Sequence, residues 1–391
     1  MGNRYTIVIT LVAIVLCGAV GLFNYKLDPY LLFDFESADS ARLSRIDQFN
    51  HMRITKPWYL QQVKPTAIIV GSSRIARILP THEVWGDERG YNLAVPGMTI
   101  TEMLGFIKHA HAIEPISKLM IGLDYEAFNR AVPLTRPGYE SDRMALHADD
   151  LLSLPIKAQY VSDVLDSLFS IPAISRSLSA YSGVPKPARQ YFKEGSWETT
   201  TDFLTGRAGY VYIGKNVLRA HRNQTLDITA NLSRFAEILK FCHAKNIDTR
   251  LFFTPTHVFF VDLWHSLGYG AMWLDFHRQI TALNEDIAIE AGTKPFPLWG
   301  FSDAAGVVNE PIYRKKNAGK AWYDDGVHTR VSLGRKMMGE VWDGKIELGS
   351  RLTGENIEAY LSRVMVLTES YDNKNQTVVR FLHREIGFDT H

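Results

Sequence analysis

The 391-residue sequence has little cysteine, almost no net charge and no second long apolar run after its N-terminal one. Cys17 lies inside that apolar run and Cys242 in the body of the chain, so we expect no disulfide between them. Lys plus Arg is 43 and Asp plus Glu is 42, which leaves none of the basic excess typical of nucleic-acid-binding proteins. We therefore expect no nucleic-acid partner. With 46% hydrophobic and 22% charged residues, the chain is not of the disordered class and can form a core.

Sequence motifs for metal and nucleotide binding are also missing. No HExxH or paired CxxC spacing occurs, and no GxGxxG or Walker loop follows a candidate strand. The sequence therefore indicates neither a metal site nor a cofactor.

The one long apolar run, residues 5–25, carries no charge. As a helix, Thr6 to Phe23 would span roughly 27 Å, close to the hydrocarbon thickness of a bilayer. A cleaved signal peptide usually has a shorter apolar stretch of about 7–15 residues, although Ala19-Val20-Gly21 is an acceptable cleavage site. We predict an uncleaved membrane anchor over residues 1–25, with a cleaved signal peptide as the alternative. Arg4 before the run and Lys26 after it slightly favour an amino terminus inside the cell and a body outside the cytoplasm.

The remainder of the chain divides into three parts by its sequence pattern. Residues 26–63 are mixed and charged and are interpreted as a juxtamembrane linker with short helical pieces. Residues 64–343 are predicted to form an α/β domain, and residues 344–391 a C-terminal extension of unassigned role. Within the domain, the segment from about residue 130 to about residue 230 is rich in Ser, Pro, Gly and aromatic residues. A stretch of this length predicts an inserted helical lid or a loosely ordered subdomain that shapes a binding cleft.

Short apolar or β-branched runs alternate with longer amphipathic ones in the α/β domain. The predicted strands are 66–70, 91–95, 118–123, 248–254 and 295–301, and the predicted helices are 99–113, 232–246, 272–292 and 331–343. Because parallel neighbours need crossovers of a dozen or more residues, this alternation predicts an open, doubly wound α/β fold with a parallel sheet of about five strands.

In an open parallel sheet, ligands bind beyond the carboxyl ends of the strands, so the residues after each strand are candidates for chemistry. Those residues are Gly71-Ser72-Ser73-Arg74, Pro96-Gly97, Asp124, Asn129, Thr254-Pro255-Thr256-His257 and, well after the fifth strand, Asp325-Gly326-Val327-His328. They include a serine, a glycine, polar hydrogen-bonding groups and an Asp/His pair.

The serine and the Asp/His pair have the chemistry of a nucleophile and its base. A serine hydroxyl attacks well only when an imidazole takes its proton and a carboxylate holds that imidazole. Asp325 and His328 are three positions apart and so project to the same side of a turn. We predict Asp325 as the orienting acid, His328 as the base and Ser73 as the nucleophile. The backbone N–H groups of Ser73 and Gly97 are candidate donors of an oxyanion hole.

These blocks resemble the SGNH (GDSL-like) hydrolase and acyltransferase superfamily over about residues 64–343, the insertion excluded. The matching blocks are GSS (71–73), AVPG (94–97), GLD (122–124) and DGVH (325–328). The resemblance implies a flavodoxin-like, SGNH-type sheet and Ser73 rather than Ser72 as the nucleophile. It also implies an oxyanion hole completed by Gly97 and by a polar residue after the third strand.

The third block departs from the family pattern. Gly-x-Asn-Asp is usual there, with the asparagine amide as an oxyanion donor, whereas this sequence has Asp124. An ionised carboxylate only accepts hydrogen bonds, so Asp124 would repel an oxyanion unless it is protonated or faces elsewhere. Asn129 is the candidate substitute.

Three further residues have more than one interpretation. Arg74 could bind an anionic substrate or pair with a carboxylate, and His257 could contact substrate or cap a turn. A second Asp-x-x-His, Asp262 to His265, follows the fourth strand amid large apolar residues. We interpret His265 as a packed surface or core histidine rather than a base.

The resemblance extends to membrane-anchored relatives that add or remove acyl groups on bacterial cell-surface and exported polysaccharides. It implies an inner-membrane protein with a periplasmic body, acting as a serine esterase or O-acyltransferase on the acyl groups, such as acetyl, of a polysaccharide. The resemblance does not determine whether the acceptor of the acyl group is water or a sugar hydroxyl. If the reaction is acyl transfer, the resemblance implies that an integral-membrane protein delivers the acyl group. The alternative is a catalytically inactive subunit that keeps the fold and binds or assembles glycan. The presence of Asp124 in the third block favours this alternative.

Overall fold

The structure is a computed structural model that describes residues 2–35, 48–80, 82–129, 133–183, 189–199, 206–221, 227–312 and 321–388. The helices are α1 (Gly2–Leu27), α2 (Met52–Val63), α3 (His82–Trp85), α4 (Ile100–Ile113), α5 (Tyr125–Phe128), α6 (Leu154–Phe169), α7 (Ile171–Ser182), α8 (Gly206–His221), α9 (Thr229–Ala244), α10 (Val258–Ser266), α11 (Gly270–Glu290), α12 (Val331–Asp343) and α13 (Ile357–Ile386). The strands are β1 (Ala67–Val70), β2 (Gly90–Asn92), β3 (Lys118–Leu123), β4 (Arg189–Tyr191), β5 (Trp197–Thr199), β6 (Asp248–Phe253), β7 (Leu298–Gly300) and β8 (Ser350–Leu352).

Six strands form one sheet in the order β2-β1-β3-β6-β7-β8. The first five are parallel, with Ala67 of β1 opposite Gly90 of β2 and Lys118 of β3. β8 joins antiparallel at the edge, where Leu352 lies opposite Leu298 of β7. All five predicted strands are therefore present, in a sheet that is mostly parallel but has a sixth strand. β8 was not predicted, because three residues carry too little pattern to be recognised.

The middle of the sheet is buried on both faces. All four residues of β1 are buried, and so are the last five residues of β3. Continuous apolar strands of this kind are typical of a parallel sheet covered on both sides. Among the helices, α9 packs against both α4 and α11. α4 begins with a capping box between Thr99 and Glu102.

β2 is shorter than its predicted run, yet its chain continues alongside β1. The Leu93 N–H donates to the Ile69 carbonyl oxygen at 2.7 Å, and the Val95 N–H donates to the Gly71 carbonyl oxygen at 3.2 Å. The chain after β2 therefore carries Gly97 to the end of the sheet at which β1 ends.

The predicted linker over residues 26–63 is a linker only in part. Most residues of α2, its last segment, are buried. The Nζ of buried Lys56 donates hydrogen bonds of 2.8 Å to the carbonyl oxygens of Asn92, Ala94 and Gly195. The linker interpretation is wrong for α2, because this helix packs into the core and braces the chain that leaves β2.

The N-terminal helix α1 is long and apolar enough over Arg4–Leu27 to cross a membrane. Its side chains are exposed from Arg4 to Ala19, whereas its last turns pack on α6 and α7. The described parts of the predicted insertion are largely helical and contain α6, α7 and α8, with the antiparallel hairpin of β4 and β5. The C-terminal extension adds β8 and the 30-residue α13, which contacts α8, α10 and α11.

Candidate active site

The turn after β1 carries the candidate nucleophile. Gly71 has φ = +152°, and a Cβ there would lie 3.0 Å from the carbonyl oxygen of Gly122, so the turn requires glycine. Ser73 then begins a short 3-10 turn, whose cap is the Ser72 Oγ that accepts a hydrogen bond of 3.2 Å from the Arg74 N–H. Ser72 therefore has a structural role in the turn, which distinguishes it from Ser73, the candidate nucleophile.

Residues 322–330 form a tight hairpin that ends where α12 begins. Tyr323 and Thr329 pair across it in an antiparallel bridge. Inside the hairpin, Asp325 Oδ1 accepts the backbone N–H of His328 at 2.8 Å. The acid and the imidazole are therefore held together through the backbone as well as through their side chains.

Several contacts join this hairpin to the turn after β1. Thr329 Oγ1 donates a hydrogen bond of 3.2 Å to the Arg74 carbonyl oxygen. Arg77 Nη1 donates at 3.1 Å to the Thr329 carbonyl oxygen, and the same guanidinium forms a salt bridge with Asp324. Arg77 and Asp324 are both buried, so these charge-assisted contacts fix the position of the hairpin relative to the turn.

Ser73, His328 and Asp325 are in hydrogen-bond contact. His328 Nε2 lies 2.9 Å from Ser73 Oγ, and His328 Nδ1 lies 2.6 Å from Asp325 Oδ2. Burial alone would raise the pKa of the Asp325 carboxyl, but the charge and hydrogen bonds of His328 and the Val327 N–H hold it below its usual value. The ionised carboxylate accepts a hydrogen bond from Nδ1–H, so Nε2 carries no proton and accepts the hydrogen bond from the Ser73 hydroxyl.

A cavity of about 250 Å³ opens beside Ser73 and His328. α8, which belongs to the predicted insertion, contributes lining residues along one side, namely Ile213, Asn216, Val217 and Ala220. The insertion therefore shapes this cleft, as the sequence predicted. Asn216 and the apolar residues around it gave no signal of their own in the sequence, because their position beside Ser73 depends on how the insertion packs.

Gly97 lines the same cavity with φ = +60°. The backbone N–H groups of Gly97 and Ser73 donate to none of the residues that the structure describes. Arg53 holds the Gly97 loop, because its Nη2 donates at 2.9 Å to the Pro96 carbonyl oxygen while its guanidinium pairs with buried Glu102. Two N–H donors are thus available beside the candidate nucleophile Ser73, as an oxyanion hole requires.

Arg136 is a cavity residue that the sequence did not single out. A Cβ on Gly97 would lie 3.8 Å from Arg136 Nε, so the guanidinium lies over the glycine. This Nε is buried and has no hydrogen-bond partner among the described residues. The backbone N–H of Arg136 donates to Glu102 at 2.6 Å, which fixes the chain at this point. No strand, motif or spacing pointed to Arg136, since it lies in an irregular segment after the third block.

Asp124 lines the cavity after β3, but its carboxylate is engaged with neighbours. Thr254 Oγ1 donates to Asp124 Oδ1 at 2.5 Å, and Arg74 Nε lies 3.6 Å from the same oxygen. Burial raises the pKa of Asp124, helped by the charge of Glu126 and opposed by that of Arg74. Arg74 also donates to Glu126 at 2.8 Å and to Thr256 at 3.0 Å. These contacts favour the interpretation of Arg74 as a partner of carboxylates.

Two predicted site residues lie away from the cavity. Asn129 is buried and is not among the described residues that line it, so its proposed role as the substitute oxyanion donor is corrected. His257 is fully buried: its Nε2–H donates to the Glu310 carbonyl oxygen at 2.8 Å, and its Nδ1 accepts the Phe259 N–H at 3.2 Å. Burial lowers the pKa of His257 to about 4. His257 is therefore a neutral cap of α10 and not a substrate contact.

The second Asp-x-x-His does not form a catalytic pair. His265 is exposed, and Asp262 Oδ2 instead lies 3.4 Å from His383 Nε2 of α13. His265 is thus a surface residue of α10.

Comparisons of the chain with protein-family models, with curated proteins and with solved structures find no match. No group of three or more His, Cys, Asp or Glu side chains suited to a metal ion occurs in the described part of the chain. What the site can do is therefore inferred from its geometry and chemistry.

Proposed function

We propose that the protein is a membrane-anchored serine esterase or O-acyltransferase of the SGNH type. Ser73 is the nucleophile, His328 the general base and Asp325 the orienting acid. The observation that carries the proposal is the distance of 2.9 Å between Ser73 Oγ and His328 Nε2, with Asp325 on the other side of the imidazole. The parallel strand order β2-β1-β3-β6-β7, with these groups beyond the ends of the strands, supports it further.

The reaction proceeds through an acyl-serine. His328 Nε2 takes the proton of Ser73 as Oγ attacks the carbonyl carbon of an ester. The tetrahedral intermediate then collapses, the ester C–O bond breaks, and His328 returns the proton to the departing alcohol. In the second half-reaction His328 deprotonates water or a sugar hydroxyl, which attacks the acyl carbon; the bond from that carbon to Ser73 Oγ then breaks, and His328 returns the proton to Oγ. Asp325 stays ionised throughout and stabilises the imidazolium.

Arg136 takes the role that the asparagine amide has in the resembled family. Asp124 donates no hydrogen bond while it is ionised. The guanidinium of Arg136, beside Gly97, supplies N–H donors and a positive charge next to the N–H groups of Gly97 and Ser73. The departure at Asp124 is therefore compatible with stabilisation of an oxyanion.

From the family resemblance we propose a short acyl group such as acetyl, which a cavity of about 250 Å³ beside Ser73 can hold. Ile213, Val217 and Ala220 of α8 offer apolar contact to its methyl group. From the family resemblance we further propose an inner-membrane anchor, a periplasmic body and an acylated surface or exported polysaccharide as substrate. For transfer, an integral-membrane protein would deliver the acyl group.

The second candidate function is a catalytically inactive subunit that binds or assembles glycan. The observation that favours it is Asp124, a carboxylate at a position where the resembled enzymes have an oxyanion donor. In this case Arg136 and Asp124 would contact glycan hydroxyls instead of a reacting ester.

A chromogenic acetyl ester, offered to the full-length protein in detergent, distinguishes the two candidates. We expect hydrolysis by the wild type, almost complete loss in Ser73→Ala, and retention of most activity in Ser72→Ala, because the hydroxyl that lies 2.9 Å from His328 Nε2 is that of Ser73. If wild type and Ser73→Ala are equally inert and a fluorophosphonate does not label Ser73, while both proteins are folded by circular dichroism, the enzyme proposal fails and the inactive subunit remains.

A further inference from the structure

The helices α6 and α7 are amphipathic with their apolar sides outward. α6 buries Ile156, Asp163 and Ser167. On its opposite side it exposes a stripe of large apolar side chains at helical spacing, namely Leu154 (81% exposed), Val161 (55%), Leu165 (51%) and Phe169 (45%). A helix of a water-soluble domain has the reverse arrangement.

α7 repeats this arrangement. It buries only the small residues Ala173 and Ser177. Its exposed residues include Ile171 (81%), Leu178 (53%) and Tyr181 (77%). The two helices contact each other, and their exposed apolar residues are named here the α6–α7 face, defined by Leu154, Val161, Leu165, Phe169, Ile171, Leu178 and Tyr181. Exposed apolar surface on this scale marks contact with a partner or a membrane.

The orientation of α6 is fixed by its buried side. Asp163 Oδ2 accepts hydrogen bonds of 2.7 Å from Trp58 Nε1 and from Arg143 Nε, and Arg143 Nη2 donates to Asp163 Oδ1 at 2.8 Å. Rotating α6 to hide its apolar stripe would expose Asp163 and leave buried Arg143 without its carboxylate, which is strongly unfavourable. The stripe therefore faces outward as a property of the folded domain.

The α6–α7 face continues directly onto the membrane-spanning candidate α1. A Cβ on Gly21 would lie 2.8 Å from Phe169, and the Phe23 and Tyr181 rings meet edge to face at 6.5 Å. Asn24 Nδ2 donates to the Leu168 carbonyl oxygen at 2.7 Å. About 20 helical residues are needed to cross a hydrocarbon core of about 30 Å, so the membrane-crossing part of α1, if it starts after Arg4, ends near Asn24. Phe169 and Tyr181 thus lie at the depth where α1 leaves the hydrocarbon.

We propose that the α6–α7 face lies in the interface of the lipid bilayer that α1 spans, with its apolar side chains among the outer parts of the lipid chains. The occupant is lipid of the leaflet that α1 exits, because the α1 contacts place Phe169 and Tyr181 at that leaflet. Tyr181 and Tyr160 (40% exposed) are side chains that favour the membrane–water boundary. The proposal rests on the anchoring role of α1 and is independent of the proposed reaction.

Environment-sensitive probes on the full chain in lipid nanodiscs test this arrangement. In a Cys17→Ser background the remaining Cys242 is buried, so a thiol-reactive NBD dye labels single cysteines introduced elsewhere. The test positions are Leu165→Cys and Leu178→Cys. The positive control is Ile14→Cys in α1 (61% exposed), and the matched negative control is Ile289→Cys, an apolar residue of α11 that is 76% exposed.

We expect a blue-shifted emission and loss of intensity with doxyl-labelled lipid at Leu165, Leu178 and Ile14, and neither effect at Ile289. If Leu165 and Leu178 instead behave like Ile289, the proposal is overturned. Shielding of these positions from aqueous iodide without quenching by doxyl lipid would show that a protein covers the α6–α7 face, which would also overturn the proposal. Absence of doxyl quenching at Ile14 would overturn it as well, because α1 would then not span the bilayer. Ester hydrolysis measured on the same nanodiscs is a separate readout, so failure of the membrane contact and failure of the proposed activity are distinguishable.

Discussion

Ser73 Oγ lies 2.9 Å from His328 Nε2, although 255 positions separate the two residues along the chain. The contacts of Arg77 and Thr329 join the two segments independently of this hydrogen bond. The proposed nucleophile and its proposed base are therefore held together in the protein without substrate, which is the preorganisation on which serine catalysis depends.

Asp325→Asn tests the role of the buried acid. The amide keeps the shape of the side chain but loses the charge, so it no longer fixes the His328 tautomer or stabilises the imidazolium. We expect kcat for an acetyl ester to fall by roughly 10³–10⁴-fold with little change in KM. Steady-state kinetics of the folded variant measure this. A kcat close to that of the wild type would exclude Asp325 as the orienting acid.

Arg136→Ala tests the proposed replacement of the oxyanion amide. Loss of a charged donor beside Gly97 should lower kcat by about 10²–10³-fold, because the negative charge of the transition state loses stabilisation. Arg136→Lys keeps the charge without the planar geometry and should recover part of the loss. Wild-type kcat in Arg136→Ala would show that the guanidinium does not act on the reacting carbonyl.

Gly71→Ala tests the packing of the turn that carries Ser73. The added Cβ meets the Gly122 carbonyl oxygen at 3.0 Å in a backbone conformation with φ = +152°. We expect the free energy of unfolding to fall by about 2–4 kcal/mol.

The matched control is Gly268→Ala, where φ is +83° but no atom lies within 4 Å of the added Cβ. Only backbone strain acts there, and the expected loss is about 1 kcal/mol. Urea unfolding measures both variants. Equal losses would mean that the close approach at Gly71 is unimportant.

Buried histidines make the fold sensitive to acid. Burial lowers the pKa of His109, His257 and His277 to about 4 from an ordinary value of 6.5. Between these values the unfolded chain binds protons that the folded chain does not, so stability falls as the pH drops from 6.5 towards 4. The slope is up to about 1.4 kcal/mol per pH unit for each histidine.

Urea unfolding at pH 7 and pH 5 measures this loss. His277→Gln removes one of the three groups while leaving an amide able to hydrogen-bond to the Trp273 carbonyl oxygen, as His277 Nδ1 does at 2.8 Å. The variant should lose less stability on acidification than the wild type. An unchanged loss would show that His277 titrates normally in the folded protein.

Local sequence patterns were sufficient to predict the parallel strands and the proximity of Ser73, Asp325 and His328. The strands are continuous apolar runs, and the rule that ligands bind beyond strand ends selects the residues that follow them. His257 satisfies the same rule, yet the Glu310 segment covers it and removes it from the cavity. The position of a residue after a strand predicts that it lies near the site. Whether its side chain is exposed to the cavity depends on which segments of the chain fold over that residue.

The features that were missed depend on long-range packing. Arg136 reaches Gly97 from an irregular segment, and the Arg53–Glu102 pair joins two helices, so neither leaves a local signal. The apolar stripe of α6 has the same period whether it faces a core or a membrane. The buried Asp163–Arg143 pair shows which side of that helix faces inward.

Covalent labelling of Ser73 is the most direct test of the central claim, which is that Ser73 is a nucleophile activated by His328. A fluorophosphonate should form an adduct that mass spectrometry maps to Ser73 in the wild type and in Ser72→Ala. The adduct should be absent in Ser73→Ala and form far more slowly in His328→Gln. Absence of the adduct from the folded wild-type protein, or an undiminished labelling rate in His328→Gln, would contradict the claim.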